Sequence, residues 1–227
     1  MRKDSEYVHT LCTAPSPFVI PAKAGIQLDP SFRWDDNRSA GRDIIGIDEA
    51  GRGPLAGPVV AGGVMMSPAA AKKMLGGIRD SKQFSARQRE QWFLFLTTHP
   101  KIRWAVARIS PAVIDRINIY QAAQLGARRV YQKLSPGGET CAFLDGSLHL
   151  PGRISHETIV KGDELVPIIS AASIIAKVTR DRIMFRLHKK YPQYRFDLHK
   201  GYGTKLHREN IETFGRSPIH RTSFQLR

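Results

Sequence analysis

The stretch from Ile44 to Val60 reads IIGIDEAGRGPLAGPVV. Ile44, Ile45 and Ile47 are apolar and β-branched, which predicts a buried strand. That strand ends on two adjacent carboxylates, Asp48 and Glu49, where an unpaired buried charge is costly. Consecutive strand side chains point to opposite faces, so an ideal strand does not offer these acids as a bidentate pair. A strand end or a bulge could bring both near one site. Gly57 to Met66 (GPVVAGGVMM) predicts a second strand, and the Gly/Pro-rich residues between the two read as a tight connection. Gly51-Arg52-Gly53 followed by Gly57 is not a dinucleotide fingerprint, because the third glycine is misplaced and Pro54 interrupts a helix start.

Further along, Ser85 with Gln88 three residues on predicts a capped helix running to about Thr98. Lys101 to Ile109 alternates Ile102, Trp104 and Val106 with polar neighbours and reads as a half-buried strand. Pro111 opens a short helix, and Asn118 to Leu134 a longer one whose apolar face is Ile119, Ala122, Ala123, Gly126, Ala127, Val130 and Leu134. Strands are expected at Glu139 to Leu144 and His156 to Val160, and a long helix from Pro167 to about Lys190. That helix carries a small-residue face (Ala171, Ala172, Ile175) suited to close packing on a sheet. A last helix covers about Thr204 to Phe214. Strands first, then mixed strand and helix, predict an α/β or α+β layer fold. Residues 1–42 lack sustained periodicity and read as a poorly ordered extension, although Phe18 to Gln27 could form a short strand or dock. Residues 43–227 form the domain.

The chain has 227 residues, 41% hydrophobic and 24% charged, the balance of a globular protein. No apolar run approaches the roughly 20 residues needed to cross a bilayer, and no secretory h-region follows Arg2 and Lys3. Cys12 and Cys141 form no CxxC pattern and read as incidental thiols in a reducing cytoplasm. The net charge is +15, with thirteen Lys/Arg against four Asp/Glu between residues 177 and 227. Such a basic segment is the footprint of a polyanion partner, and nucleic acid is the expected one.

Two more acids stand at element ends. Asp145 closes the apolar run in CAFLDGS, and Asp163 lies in VKGDELVP just before the long helix. Taken singly, an Asp-Gly step is commonly a turn, and an acid before a helix is commonly a cap. Together with Asp48 and Glu49 they make an oxygen-rich set of the kind that hard divalent cations require. A phosphate loop, HExxH, zinc-type spacing and a GxSxG elbow are all missing.

IDEAGRGPLAGPVV, DSK (Asp80 to Lys82), LDG (Asp145), KGD (Asp163), ISAASIIAKVTRD (Ile169 to Asp181) and HKGYGT (His199 to Thr204) stand in one order along the chain. Over Asp43 to Phe224 this resembles bacterial ribonuclease HII. The resemblance implies an RNase H-like fold, with a central mixed β-sheet flanked by helices and a basic helical C-terminal region. It implies that Asp48, Glu49, Asp145 and Asp163 are catalytic and hold two divalent metal ions, Mn²⁺ or Mg²⁺. The implied reaction cuts the RNA strand of RNA–DNA hybrids, and duplex DNA on the 5′ side of an embedded ribonucleotide, leaving a 3′-hydroxyl and a 5′-phosphate. Gly51, Arg52 and Gly53 would read the 2′-hydroxyl through the backbone, and Tyr202 would stack at the junction. Lys82, Asn118, Gln121, Ser173, Lys177 and Arg180 would hold phosphates, while Asp181 pairs with a nearby cation. Gln83 and Phe84 depart from the commoner DSKKLS pattern, which bears on a second lysine contact and not on the catalysis. A cytoplasmic monomer is expected. Two alternatives remain open: a ribonuclease HIII-like enzyme, for which residues 1–42 are too short to supply the usual extra domain, and a non-catalytic nucleic-acid-binding protein on the same scaffold.

Overall fold

The computed structural model describes residues 19–20, 42–78, 84–137, 140–152 and 154–226. Strand β2 (Ile44–Ala50) runs antiparallel to β3 (Val59–Met66) in unbroken register, from Ile44 opposite Met66 to Ala50 opposite Val60. The acids at its end therefore sit in regular strand, with no bulge. β3 continues antiparallel to β4 (Arg103–Ile109). On the other side of β2, β5 (Cys141–Asp145) and β6 (His156–Ile159) are parallel to it and to each other. Val19–Ile20, here β1, adds a short parallel edge to β6, inside the stretch where a strand or a docked segment was anticipated. The order β1-β6-β5-β2-β3-β4 is the expected mixed sheet. The remainder of residues 1–41 lies outside the described residues.

Helices cover both faces. α1 (Pro68–Met74) and α2 (Ala86–Thr98) follow β3, and α2 carries the reciprocal Ser85–Gln88 capping box that the spacing predicts. α1 was not anticipated. α3 (Pro111–Leu134) breaks at Asn118, at φ 65° and ψ 166°. The Asn118 side-chain oxygen accepts from Gln121 N at 3.0 Å and so caps the second half; the two expected helices lie end to end. After β6 come α4 (Gly162–Leu165), α5 (Pro167–Lys190), a 3₁₀ turn at Pro192–Tyr194, α6 (Phe196–His199) and α7 (Lys205–Phe214). No helix among the described residues is long and apolar enough to cross a membrane.

α3 packs on one face of the sheet, burying Ala123, Ala127, Val130 and Leu134 against Ile45, Ile47, Ala105 and Ala107. In β4 the buried side is thus Ala105, Ala107 and Ile109, whereas Trp104 is 40% exposed. The half-buried strand exists, and both of its faces meet a core: Ile102 is buried and Val106 packs on the side away from α3, while Trp104 between them is exposed. Alanines face inward because α3 lies close, and Trp104 leans over the sheet edge toward Phe93 of α2.

α5 crosses the opposite face at the distance its small residues allow. A Cβ on Gly62 would stand 2.6 Å from Ala176 N and 2.7 Å from Ala172 O, both rigid helix backbone. Gly62→Ala is accordingly expected to cost about 3 kcal/mol through overpacking. That corresponds to a fall of roughly 10 °C in the thermal midpoint at this chain length, read by circular dichroism. An unchanged midpoint would mean that α5 can lift off the sheet freely.

Candidate active site

The parallel strands β2, β5 and β6 end together. Pairing between β2 and β5 runs from Ile44–Cys141 to Ile47–Leu144 and stops, so Asp48 and Glu49 overhang beside Asp145, the last residue of β5. After β6 the chain turns through Lys161, in the left-handed region at φ 57°, into α4. This brings in Asp163, whose amide donates to Asp145 Oδ1 at 3.3 Å. The carboxyl ends of parallel strands are where open α/β sheets bind ligands. Here they border a cleft of about 500 Å³ lined by all four acids, with Gly51, Arg52, Gly53 and Tyr202 among its other walls.

Within the cleft Asp48 and Glu49 keep the opposite orientations of a regular strand. Asp48 faces α5 and takes a hydrogen bond from the Ser173 hydroxyl, and its Oδ1 also accepts from Glu49 N at 2.6 Å. Glu49 Oε1 is paired with Arg52 Nη1 at 3.1 Å, while Oε2 is buried with no hydrogen-bond partner among the described residues. Burial, and then the nearby charges of Glu49, Asp145 and Asp163, push the Asp48 carboxyl well above the usual range. Burial lifts Glu49 to about 7 even against the Arg52 guanidinium. The acids gather around one opening, although no three His, Cys, Asp or Glu side chains among the described residues close on a single metal-binding point. The chemistry of the set still fits a hard cation. The Asp48 and Glu49 carboxyls are raised by burial and by neighbouring acids, and one guanidinium, Arg52, offsets only part of that charge, so the cleft favours added positive charge.

The loop after β2 turns at Gly51, whose φ of 95° favours glycine. Behind it lies the Arg180 guanidinium, which donates to Pro58 O at 3.1 Å, Ala56 O at 3.2 Å and Lys200 O at 3.0 Å. Tyr202 stands across the cleft, 45% exposed, on a loop held from below by imidazoles. Ser217 N donates to His220 Nδ1 at 2.9 Å, so His220 Nε2 carries the proton and gives it to His207 Nε2 at 3.1 Å. His207 Nδ1–H then donates to Tyr202 O at 2.9 Å. Burial lowers both imidazoles to about 4, which keeps this relay neutral at neutral pH.

A sequence profile described as Ribonuclease HII matches residues 45–227. The chain belongs to the ribonuclease HII family. It is 48% identical over 217 residues to the ribonuclease HII of Xanthomonas campestris pv. campestris strain 8004, covering 95% of this chain and 87% of that one. Its fold is similar to that of RNase HII in the PCNA:RNase HII complex from Archaeoglobus fulgidus. There the TM-score is 0.66 and the identity 28%, over 81% of this chain and 96% of the other. A structure of Bst-RNase HIII in complex with Mn²⁺ shares the fold at a TM-score of 0.65 and 17% identity, over 82% of this chain and 68% of that one. As a ribonuclease HII the chain is an endoribonuclease, a hydrolase acting on nucleic acid.

The other residues expected in this ribonuclease HII site are placed unevenly. Lys177 lines the cleft and pairs with Asp181 at 2.9 Å, the cation–acid pair anticipated for Asp181. Ser173 lines it too, but is engaged with Asp48. Arg180, expected beside Lys177 as a phosphate-facing cation, also lines the cleft, but it is only 1% exposed and its guanidinium donates to three backbone carbonyls. Asn118 and Gln121 are exposed on α3, away from the cleft walls. Lys82 lies outside the described residues. Arg89 of α2 lines the cleft and was not singled out, since in sequence it is one cation on an ordinary helix surface. The histidine relay carries a different signal: its two imidazoles, His207 and His220, stand thirteen residues apart without any metal-like spacing.

Proposed function

We propose that this ribonuclease HII cuts the RNA strand of RNA–DNA hybrids and duplex DNA on the 5′ side of an embedded ribonucleotide, leaving a 3′-hydroxyl and a 5′-phosphate. Asp48, Glu49, Asp145 and Asp163 are its catalytic acids and the residues that would hold two divalent cations, Mn²⁺ or Mg²⁺. The observation that carries this reading is Glu49, whose buried Oε2 has no partner among the described residues and lies beside the raised carboxyl of Asp48. Mn²⁺ in the fold-sharing Bst-RNase HIII supports the same assignment. When bound, such a pair of ions supplies an activated water and charge stabilisation for the leaving oxygen.

The chain's own groups do the rest. The backbone of Gly51 to Gly53 approaches the sugar and reads its 2′-hydroxyl, a donor and acceptor that DNA lacks. Tyr202 offers an exposed ring for stacking. Lys177, beside the acids, attracts a phosphate. Arg52 bridges Glu49 and Ser147 Oγ at 3.1 and 3.0 Å, which neutralises part of the acid charge before substrate arrives.

The test is a DNA duplex with a single ribonucleotide, incubated with Mn²⁺ or Mg²⁺ beside an all-DNA control. Cleavage only at the 5′ side of the ribonucleotide, with ligatable 3′-hydroxyl and 5′-phosphate ends, is the expected result. Tight binding with the strand left intact would favour the non-catalytic binding protein instead.

A further inference from the structure

Arg221 is 1% exposed and does not line the cleft, yet it touches the loop that does. Its Nη2 donates to Gly51 O at 2.5 Å, Nη1 to Arg52 O at 2.7 Å and Nε to Gly57 O at 3.1 Å. The peptides of this loop are trans. In a trans peptide the carbonyl of one residue and the N–H of the next point in opposite directions. Fixing the Gly51 and Arg52 carbonyls toward Arg221 therefore turns the N–H groups of Arg52 and Gly53 away from it, to the side where the cleft lies.

We propose that Arg221 is a positioning residue for ribose recognition: its guanidinium aims the Arg52 and Gly53 amides at the substrate sugar. This rests on the reading that the Gly51–Gly53 backbone recognises the 2′-hydroxyl. A planar fork that meets two successive carbonyls sets two peptide planes at once, which an ammonium cannot do. The buried positive charge also polarises both peptides and makes their N–H groups stronger donors. Burial and the neighbouring Arg180 hold the Arg221 guanidinium below its usual range, at about 9, so it remains charged at neutral pH.

The tail around Arg221 is built to keep it there. Arg221 N donates to Leu55 O at 2.8 Å, and the Phe224 ring lies 4.9 Å from the guanidinium carbon. Asp115 of α3 accepts from Thr222 N, Thr222 Oγ1, Ser223 N and Ser223 Oγ at 2.6–3.0 Å. Arg216 donates to the carbonyls of Arg221, Thr222 and Phe224.

The test measures binding of the full chain in EDTA to two duplexes, one all-DNA and one with a single ribonucleotide. Arg221→Lys is expected to lower the preference for the ribonucleotide duplex at least about tenfold, leaving all-DNA affinity within about twofold. A folded Arg221→Lys protein with the original preference overturns the proposal. So does a loss of both affinities together with thermal stability, which would mark Arg221 as a structural residue only. If Arg221→Lys does not fold, Asp115→Ala loosens the tail from outside the cleft. A smaller loss of preference is then expected, and an unchanged preference overturns the proposal. Should the unaltered chain itself show no preference, the 2′-hydroxyl reading fails first and takes the proposal with it.

Discussion

Asp145→Asn protein is expected to bind a duplex carrying one ribonucleotide about as well as the unaltered chain, and to cut it at least roughly 10³-fold more slowly. The substitution removes charge and little else. Asn keeps a side-chain oxygen where Asp145 Oδ1 accepts the Asp163 amide, so the turn into α4 retains its hydrogen bond. What is lost is one of the anionic groups that gather positive charge at the strand ends. Asp145 is also among the charges that raise Asp48 and Glu49. In EDTA the variant should therefore melt no lower than the original, and somewhat higher if repulsion is relieved. Single-turnover cleavage with excess enzyme, a binding titration and a melting curve together separate these effects. Cutting within tenfold of the unaltered rate would remove Asp145 from the catalytic set.

The second large effect links pH to metal. Glu49 is raised from 4.5 to about 7 by burial. Its folded carboxyl prefers the proton, so the stability it contributes is full below about pH 4.5 and is lost as pH rises through about 7, a matter of a few kcal/mol. Asp48 acts in the same direction. A divalent cation that binds the ionised acids reverses the loss. Saturating Mn²⁺ should thus raise the thermal midpoint by several degrees at pH 8 and by much less at pH 5.5. The buried histidines slope the other way: lowered to about 4, they withdraw stability as pH falls below the ordinary imidazole range. They lie away from the acids and cancel when curves with and without metal are compared at each pH. A metal-induced shift independent of pH would place the cation elsewhere.

Much of this was legible before any coordinates. β2 and β3, the Ser85–Gln88 box and the break at Asn118 rest on local rules of apolar runs, caps and turns, and local rules survive folding. The four acids stand out in the sequence because each follows an apolar run or precedes a helix, and folding brings them to one cleft. Trp104 is exposed between the packed Ile102 and Val106 because it lies on an edge strand, while Ala105 and Ala107 on the other face make room for α3. Arg180 was seen as a cation but not as a buried one, since its carbonyl partners at Ala56, Pro58 and Lys200 come from distant segments. Arg221 left no signal at all: one arginine in a basic tail looks like any other.

The burial of Arg180 and Arg221 has a consequence for how salt acts on the enzyme. Their partners are carbonyl dipoles, and at 1% exposure neither guanidinium meets the mobile ions of the solvent. Rising ionic strength weakens the pull of exposed Lys and Arg on any duplex, ribonucleotide or not. The shape of the Gly51–Gly53 loop stays as it is. If that loop reads the sugar as proposed, a change of counterion concentration is expected to move the affinity for any duplex while leaving the preference for a ribonucleotide in place.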